Sequence, residues 1–484
     1  MYYILAVITA VVLLMIFIII RTFIFTKSEE IYEVINDSSP VNKDDAVKKL
    51  QQAISIKTIS NSDTGQTDWQ EFKKFIIFLE NAFPLIHANM EKTVINDYSL
   101  IYKWKGQDEK LKPGMIMAHI DVVPVEEGTL KDWDANPFSG DIKEGFIYGR
   151  GSMDIKIQLI TAMQACESLL KEGYTPKRDI YLCFGHDEET GGVDGAAHIL
   201  EYMKNRNLKF EFIIDEGGAV NSGAISSVKK SVAFIGVAEK GYCNLKISIK
   251  AKGGHASTPP KNTALGMTSK VICDLEKHKM KKHLTKPSLD MIKALAIHMN
   301  FINKMIVANM WLFKPLFMKV FAKPGTTGEA LLRTTIAPTM THASMEPNVL
   351  PQVASFTVNC RILQGDSGSK LIHYIKDKCS KYDFNIETLR LDEPSNVSDY
   401  KSDIFKLVAG ITLGIYEDAV IVPYLMVAGT DCYKFECICK NVIRFTPFFI
   451  PMKDMGRIHS TNERNSIENV ENCVKFFTTL LKNC

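Results

Sequence analysis

The chain has 484 residues, 46% of them hydrophobic and 23% charged, an ordinary globular composition that excludes a disordered, collagen-like or fibrous protein. That length allows two or three domains of roughly 100–200 residues, with a core that needs no disulfide staples. Lys+Arg 58 against Asp+Glu 55 leaves a net charge of +3, too little basic excess for a nucleic-acid binder.

The first predicted element is a helix over Tyr2 to Ile20, a run without a charged residue. At about 1.5 Å per residue it nearly crosses a ~30 Å hydrocarbon core. The run is apolar on every face, unlike a helix packed in a soluble core. Arg21 and Lys27 follow it, and no basic segment precedes it or small-residue cleavage site follows it. We expect an uncleaved single-pass membrane anchor, with a cleaved secretion signal as the alternative. The positive-inside rule puts the body of the protein on the cytoplasmic side. The 11 cysteines agree, being scattered and mostly set in apolar strands, as expected of free thiols. Cys437 and Cys439 form a CxC with no second pair, which is not a metal site.

Residues 28–45 read as a polar linker. An α/β texture follows, in which the short β-rich runs GMIMA, DIYLCF and FEFIID alternate with helical stretches, and a long amphipathic helix ends at Gly173. The alternation predicts a largely parallel sheet flanked by helices. From about Cys243 the runs NLKISIKAKGGHA and QVASFTVNCRI alternate apolar and polar residues, as solvent-faced strands do. Between them lies a helical, Met-rich stretch, Met291–Ala322, read as the core of the inserted domain, with an apolar wall for acyl chains as the alternative. The expected organisation is an anchor at 1–27, a linker at 28–45, a catalytic domain at 46–242 and 366–484, and an inserted α+β lid or dimerisation domain at 243–365.

Chemistry-bearing residues gather at the ends of the predicted parallel strands, where open α/β sheets bind ligands. His119 and Asp121 follow GMIMA, Glu188 and Glu189 follow IYLCFGHD, and Asp215 ends FEFIID. Asp154, in GRGSMDIK, precedes the long helix. Imidazole and carboxylate groups suit zinc, cobalt or manganese. Packed together without cations, these carboxylates would have sharply raised pKa values.

The segments MAHIDVVPVEEG, GRGSMDIK, GHDEETGG, IIDEGG, KGGHASTPP, PNVLPQVASFTVNCRI and GRIHSTNER, in that order, resemble the zinc-dependent aminoacylase/carboxypeptidase family, in particular its carboxypeptidase S and N-fatty-acyl-amino-acid synthase/hydrolase branch. The resemblance covers the chain from about Asp45 to Cys484. It implies a hydrolase of N-acyl amino acids or short peptides with a free carboxylate, holding two divalent metal ions, Zn2+ or else Co2+ or Mn2+. His119 and Asp215 would hold one ion, Glu189 and His459 the other, and Asp154 would bridge them. Glu188 would be the general base and Asp121 would orient His119. His255 would polarise the scissile carbonyl, from a partner subunit in homodimers. Asn348, Arg361, Gly429 and Thr430 would bind substrate. Two departures stand out: Ile155 follows Asp154 where relatives carry a second acid, and Ser460-Thr461 follows His459 where they often carry Gly-Val.

Overall fold

The computed structural model describes residues 1–223, 225 and 227–484. It is a mixed α/β fold. Helix α1 (Tyr2–Thr26) continues past the uncharged run and is long and apolar enough to cross a membrane. After the linker come α2 (Lys43–Ser55), β1 (Glu91–Ile95), β2 (Ser99–Trp104), β3 (Gly114–His119), α3 (Lys156–Lys171), β4 (Ile180–Gly185), α4 (Ala196–Asn205), β5 (Phe212–Ser222) and β6 (Val232–Glu239).

The inserted region holds β7 (Gly241–Lys250), β8 (Gly254–His255), α5 (Ala264–Lys277), α6 (Lys286–Ile297), α7 (Phe301–Ala308), α8 (Met310–Phe321), β9 (Thr335–His342), β10 (Val349–Leu350), β11 (Val353–Ile362), α9 (Gly368–Lys378) and β12 (Asn385–Asp392). The chain then returns through α10 (Asp403–Ile415), β13 (Val420–Met426), β14 (Val442–Pro451) and α11 (Ile467–Asn483).

The main sheet runs β1-β2-β4-β3-β5-β14-β6-β13. Its centre is parallel: β3 pairs with β4 and β5, and β5 with β14. Every residue of β3 and β4 is buried, because helices cover both faces. On one face Ile116 and Ala118 pack with Ile160 and Met163 of α3 and Phe477 of α11. On the other, Met115 and Met117 pack with Ile199 of α4 and Phe435. The parallel pairing brings His119, the Glu188-Glu189 turn and the Asp215-Glu216 pair to one sheet edge.

The second sheet, β9-β11-β7-β12, is antiparallel, and β7 alternates buried and half-buried residues as its sequence predicts. Two expectations about the insertion need correction. The sheet continues beyond residue 365, because β12 pairs with β7 from Asn385 to Asp392. The alternation of a helix and a strand there resembles the α/β domain in sequence, yet the strand joins the lid. The Met-rich helices also do not form the lid core. Met291 and Leu295 of α6, Val307 of α7 and Phe317 of α8 pack with Val420, Val422 and Leu425 of β13, the last strand of the main sheet. They cover an edge that would otherwise stay unpaired. The lid has its own core of Leu245, Ile247, Val271, Phe356 and Leu371.

Candidate active site

His119 ends β3 and is 2% exposed. Its Nδ1 lies 2.9 Å from the carbonyl oxygen of Asp121 and 3.3 Å from Asp121 Oδ1. Both partners are acceptors, so Nδ1 carries a proton and Nε2 is the nitrogen turned toward the other acids. Nε2 faces Asp154 Oδ1 at 3.2 Å and Glu216 Oε1 at 3.3 Å. The fully buried Asp121 carboxylate also accepts the Ser60 hydroxyl at 2.6 Å and the backbone N–H groups of Glu188 and Glu189 at 3.1 and 3.2 Å. One acid thus positions both the imidazole and the Glu-Glu turn. That turn passes close to the loop after β13: at Gly192 (φ +64°) a Cβ would lie 1.9 Å from Asp431 Oδ1, so a side chain there would displace Asp431.

The other oxygen of Asp154 faces the far side of the site. Oδ2 lies 2.9 Å from His459 Nε2, which is 3.2 Å from Glu189 Oε1. Potential ligand atoms of His119, Asp154 and Glu216, and those of Asp154, Glu189 and His459, form two groups, each within 4.8 Å, that share Asp154. A third grouping of the same kind is His119, Glu188 and Glu189.

Asp215, expected as a ligand, is not in these groups. Its side chain continues the Ile213 face of β5 toward the turn at Asp431–Cys437, where Oδ2 accepts the Cys432 N–H at 3.1 Å. Glu216, the next residue, takes the opposite face and reaches His119. In IIDEGG the residue types alone do not separate the two acids. Sequence reasoning also missed Glu463. It is fully buried, pairs with Arg150, and accepts the N–H groups of Gly151, Met153 and Asp154 at 3.0, 2.8 and 3.3 Å. It fixes the loop that carries Asp154 from the segment that carries His459. Ile155 packs into the main core at 2% exposure, so a second acid there would have no polar partner in that position.

The electrostatics suit cations. Burial drives the Glu188 carboxyl well above the usual carboxylate range, His119 pulls it back and Glu216 pushes it further. Burial raises Glu216 as well, and Asp154 beside it adds to the rise. Asp154 resists burial through hydrogen bonds from both imidazoles, which hold its carboxyl low. His459 is raised to about 10 by its contacts with Asp154 and Glu189. Glu189 Oε1 is buried without a hydrogen bond, since the nearby His459 lies outside hydrogen-bond geometry. In the protein alone, protons hold these acids together. Divalent cations fit the same donors and would replace those protons.

The remaining predicted residues lie apart. Thr430 Oγ1 donates to Glu239 Oε2 at 3.1 Å, and Gly429 lies beside Glu239. Arg361 stacks on Tyr242 at 4.6 Å, as Arg390 does at 4.7 Å, and the field of Glu188 reaches it. Arg390 also approaches the Glu-Glu turn, where a Cβ on Gly191 would lie 2.4 Å from its Nη1. His255 and Asn348 come together on the exposed tip of the lid, through the β8–β10 pair and a 2.9 Å bond from Ala256 N–H to the Asn348 carbonyl. There His255 Nδ1 contacts Ser257 at 2.8 Å, and the structure does not bring the ring to the metal-binding groups within one chain.

The sequence pattern of Peptidase family M20/M25/M40 matches residues 115–483. The chain belongs to this family. Members similar to it include "Probable carboxypeptidase S-like 2" of Dictyostelium discoideum, 33% identical, with 97% of this chain and 92% of the relative aligned. The "N-fatty-acyl-amino acid synthase/hydrolase PM20D1" of Homo sapiens is 33% identical over 90% of this chain and 86% of its own. "Carboxypeptidase S" of Saccharomyces cerevisiae is 29% identical over 88% and 81%. The M20 metallo-carboxypeptidase Sso-CP2 from Sulfolobus solfataricus shares the fold, with a TM-score of 0.69 at 18% identity over 90% of this chain and 98% of that one. As an M20 peptidase the protein is a metal-dependent hydrolase.

Proposed function

We propose that the protein is a membrane-anchored hydrolase that cleaves the amide bond of N-acyl amino acids or short peptides bearing a free carboxylate, with two divalent ions, zinc by preference. The observation that carries this reading is the division of Asp154: one oxygen faces His119 and the other His459. His119, Glu216 and Asp154 would hold one ion, and His459, Glu189 and Asp154 the other. The three carboxylates among these ligands balance most of the +4 of two such ions. Bound there, the pair would acidify a water and polarise the scissile carbonyl.

The chain's own residues do the rest. Glu188, poised by burial to hold a proton, takes one from the attacking water and passes it to the leaving amine. Asp121 keeps Nδ1 of His119 protonated and the Glu-Glu turn in register. Arg361 would offer a planar fork to the substrate carboxylate, and Gly429 and Thr430 would bind substrate from the loop after β13. His255 and Asn348 would complete the site from the lid tip of a second copy, donating to the oxyanion as the lid closes. Helix α1 would hold the enzyme on the bilayer.

The test is elemental analysis of the active protein together with hydrolysis of a panel of N-acyl amino acids and dipeptides. About two transition-metal ions per chain and turnover of N-acyl amino acids support the reading. Turnover of dipeptides alone would make it a peptidase indifferent to acyl chains, and a metal-free active enzyme would overturn it.

A further inference from the structure

Helices α7 and α8 are held against α1 by specific contacts. The buried Asn309, between the two helices, donates its side-chain amide to the Ile18 carbonyl and to Thr22 Oγ1, both at 3.2 Å. Arg21 donates to the Ala308 carbonyl at 3.4 Å. Phe17 meets Trp311 edge-on at 6.2 Å, and Phe23 meets Phe301 at 6.0 Å. These contacts run from Phe17 to Phe23, in the C-terminal half of α1. If the apolar run Tyr2–Ile20 spans a ~30 Å hydrocarbon core at about 1.5 Å per residue, those residues straddle the boundary between acyl chains and headgroups.

At the same level the two helices expose a large apolar surface. Ile302 is 64% exposed, Trp311 56%, Leu316 48% and Val320 57%. Leu312, Leu316 and Val320 form an i, i+4, i+8 stripe on one side of α8, Trp311 packs on Phe17 of α1 from another side, and Phe317 points inward to the core beneath β13. Residues 301–323 carry Lys304, Lys314, Lys319 and Lys323 and no acid. Among the described residues none of the four lysines forms an ion pair. An exposed apolar stripe, a tryptophan packed on the end of a spanning helix and unpaired lysines beside them have the chemistry of an interfacial membrane helix.

We propose that α7 and α8 form a second membrane-contacting element, lying in the headgroup–acyl boundary of the leaflet from which α1 emerges, with Leu312, Leu316 and Val320 inserted, Trp311 in the boundary beside α1 and the lysines reaching lipid phosphates. The proposal rests on reading α1 as a spanning anchor. It commits to a bilayer as the occupant, because the apolar face is continuous with the helix that enters the bilayer and its charges complement anionic headgroups.

The test uses the full-length chain in vesicles of phosphatidylcholine and phosphatidylglycerol, with lipids brominated on the acyl chain near the headgroup. Trp104 and Trp133 are buried and Trp69 is stacked on Tyr98 in the body, so Trp311 is the tryptophan placed to meet lipid. Both the wild type and Trp311→Phe should float with the vesicles, and bromolipid should quench the wild type while leaving the variant nearly unaffected. A second variant, Leu316→Glu with Val320→Glu, alters exposed positions only; it should still float, with quenching of Trp311 at least halved. Equal quenching of wild type and Trp311→Phe in floated protein overturns the proposal and leaves the anchor standing. That result would assign the face to a second copy or another protein. A chain that does not float overturns both.

Discussion

Glu463 and Arg150 form an ion pair in the interior of the catalytic domain, with Glu463 fully buried. Because the same carboxylate holds the backbone around Asp154, the pair fixes the loop of this candidate metal ligand from a segment far away in sequence. Glu463→Gln keeps the shape and loses the charge. It should lower metal affinity or turnover by about 10–100-fold, the range typical of residues that orient ligands. Metal titration of the purified variant checks this, and unchanged affinity and kcat would show that the loop holds itself.

Glu216 and Asp215 make opposite predictions from adjacent positions. Glu216→Gln should lose about one metal ion per chain. Asp215→Asn should retain both, because its carboxylate serves Cys432 N–H. Glu188→Gln should keep the metals and lose on the order of 10²-fold or more in kcat, the value of a positioned proton carrier. Elemental analysis beside kcat for the three variants decides the assignment. A metal-depleted Asp215→Asn with a metal-replete Glu216→Gln would reverse it.

Lys240 joins β6 to β7 at the entrance to the lid, and its ammonium donates to the Ala330 and Arg333 carbonyls. Burial lowers its pKa from 10.5 to about 7. Between those values the unfolded chain binds a proton that the folded chain does not, so this residue makes stability rise with pH from about 7 to 10.5 and adds no slope below about 7. Lys240→Met should flatten that slope by about one proton. Denaturant midpoints of both proteins at several pH values measure it; identical slopes would mean that Lys240 is charged and well solvated in the fold.

His255→Ala should lower kcat by about 10²–10³, the cost of one oxyanion donor, without changing metal content. The ring stands on an exposed lid tip, so the donor is expected from a second subunit. Co-expressed His255→Ala and Glu188→Gln chains should then recover activity in mixed dimers, where one site has both groups intact. Full activity of His255→Ala would remove the residue from the reaction, and inactive mixed dimers would place it in cis.

The parallel core and the ends of β3 and β4 were legible because strand ends in such sheets have a fixed direction, and His119, Asp121, Glu188 and Glu189 stand directly at those ends. The choice between Asp215 and Glu216 was not, since successive strand residues face opposite sides and only the packing of β5 beside the Cys432 turn tells which side is the cleft. Glu463 was hidden for a different reason. A carboxylate that binds backbone N–H groups leaves no spacing pattern in the sequence. The lid boundary failed at β12 because a helix followed by a strand reads alike whichever sheet the strand joins, and pairing with β7 is a long-range contact. The Met-rich helices showed their apolar character in sequence, but not that β13 and α1 would receive it.

Asp121 receives Ser60, His119 and the amides of both glutamates on one side chain. These parts therefore cannot be adjusted piecemeal by mutation: a change that retunes the imidazole also displaces the Glu-Glu turn. Diversification of substrates has to be found elsewhere, in parts that share no atoms with this hub. The lid is such a part, with a core of its own and Arg361, Arg390 and His255 carried on its strands. A substitution in the lid can alter contacts there while leaving the Asp121 hub intact.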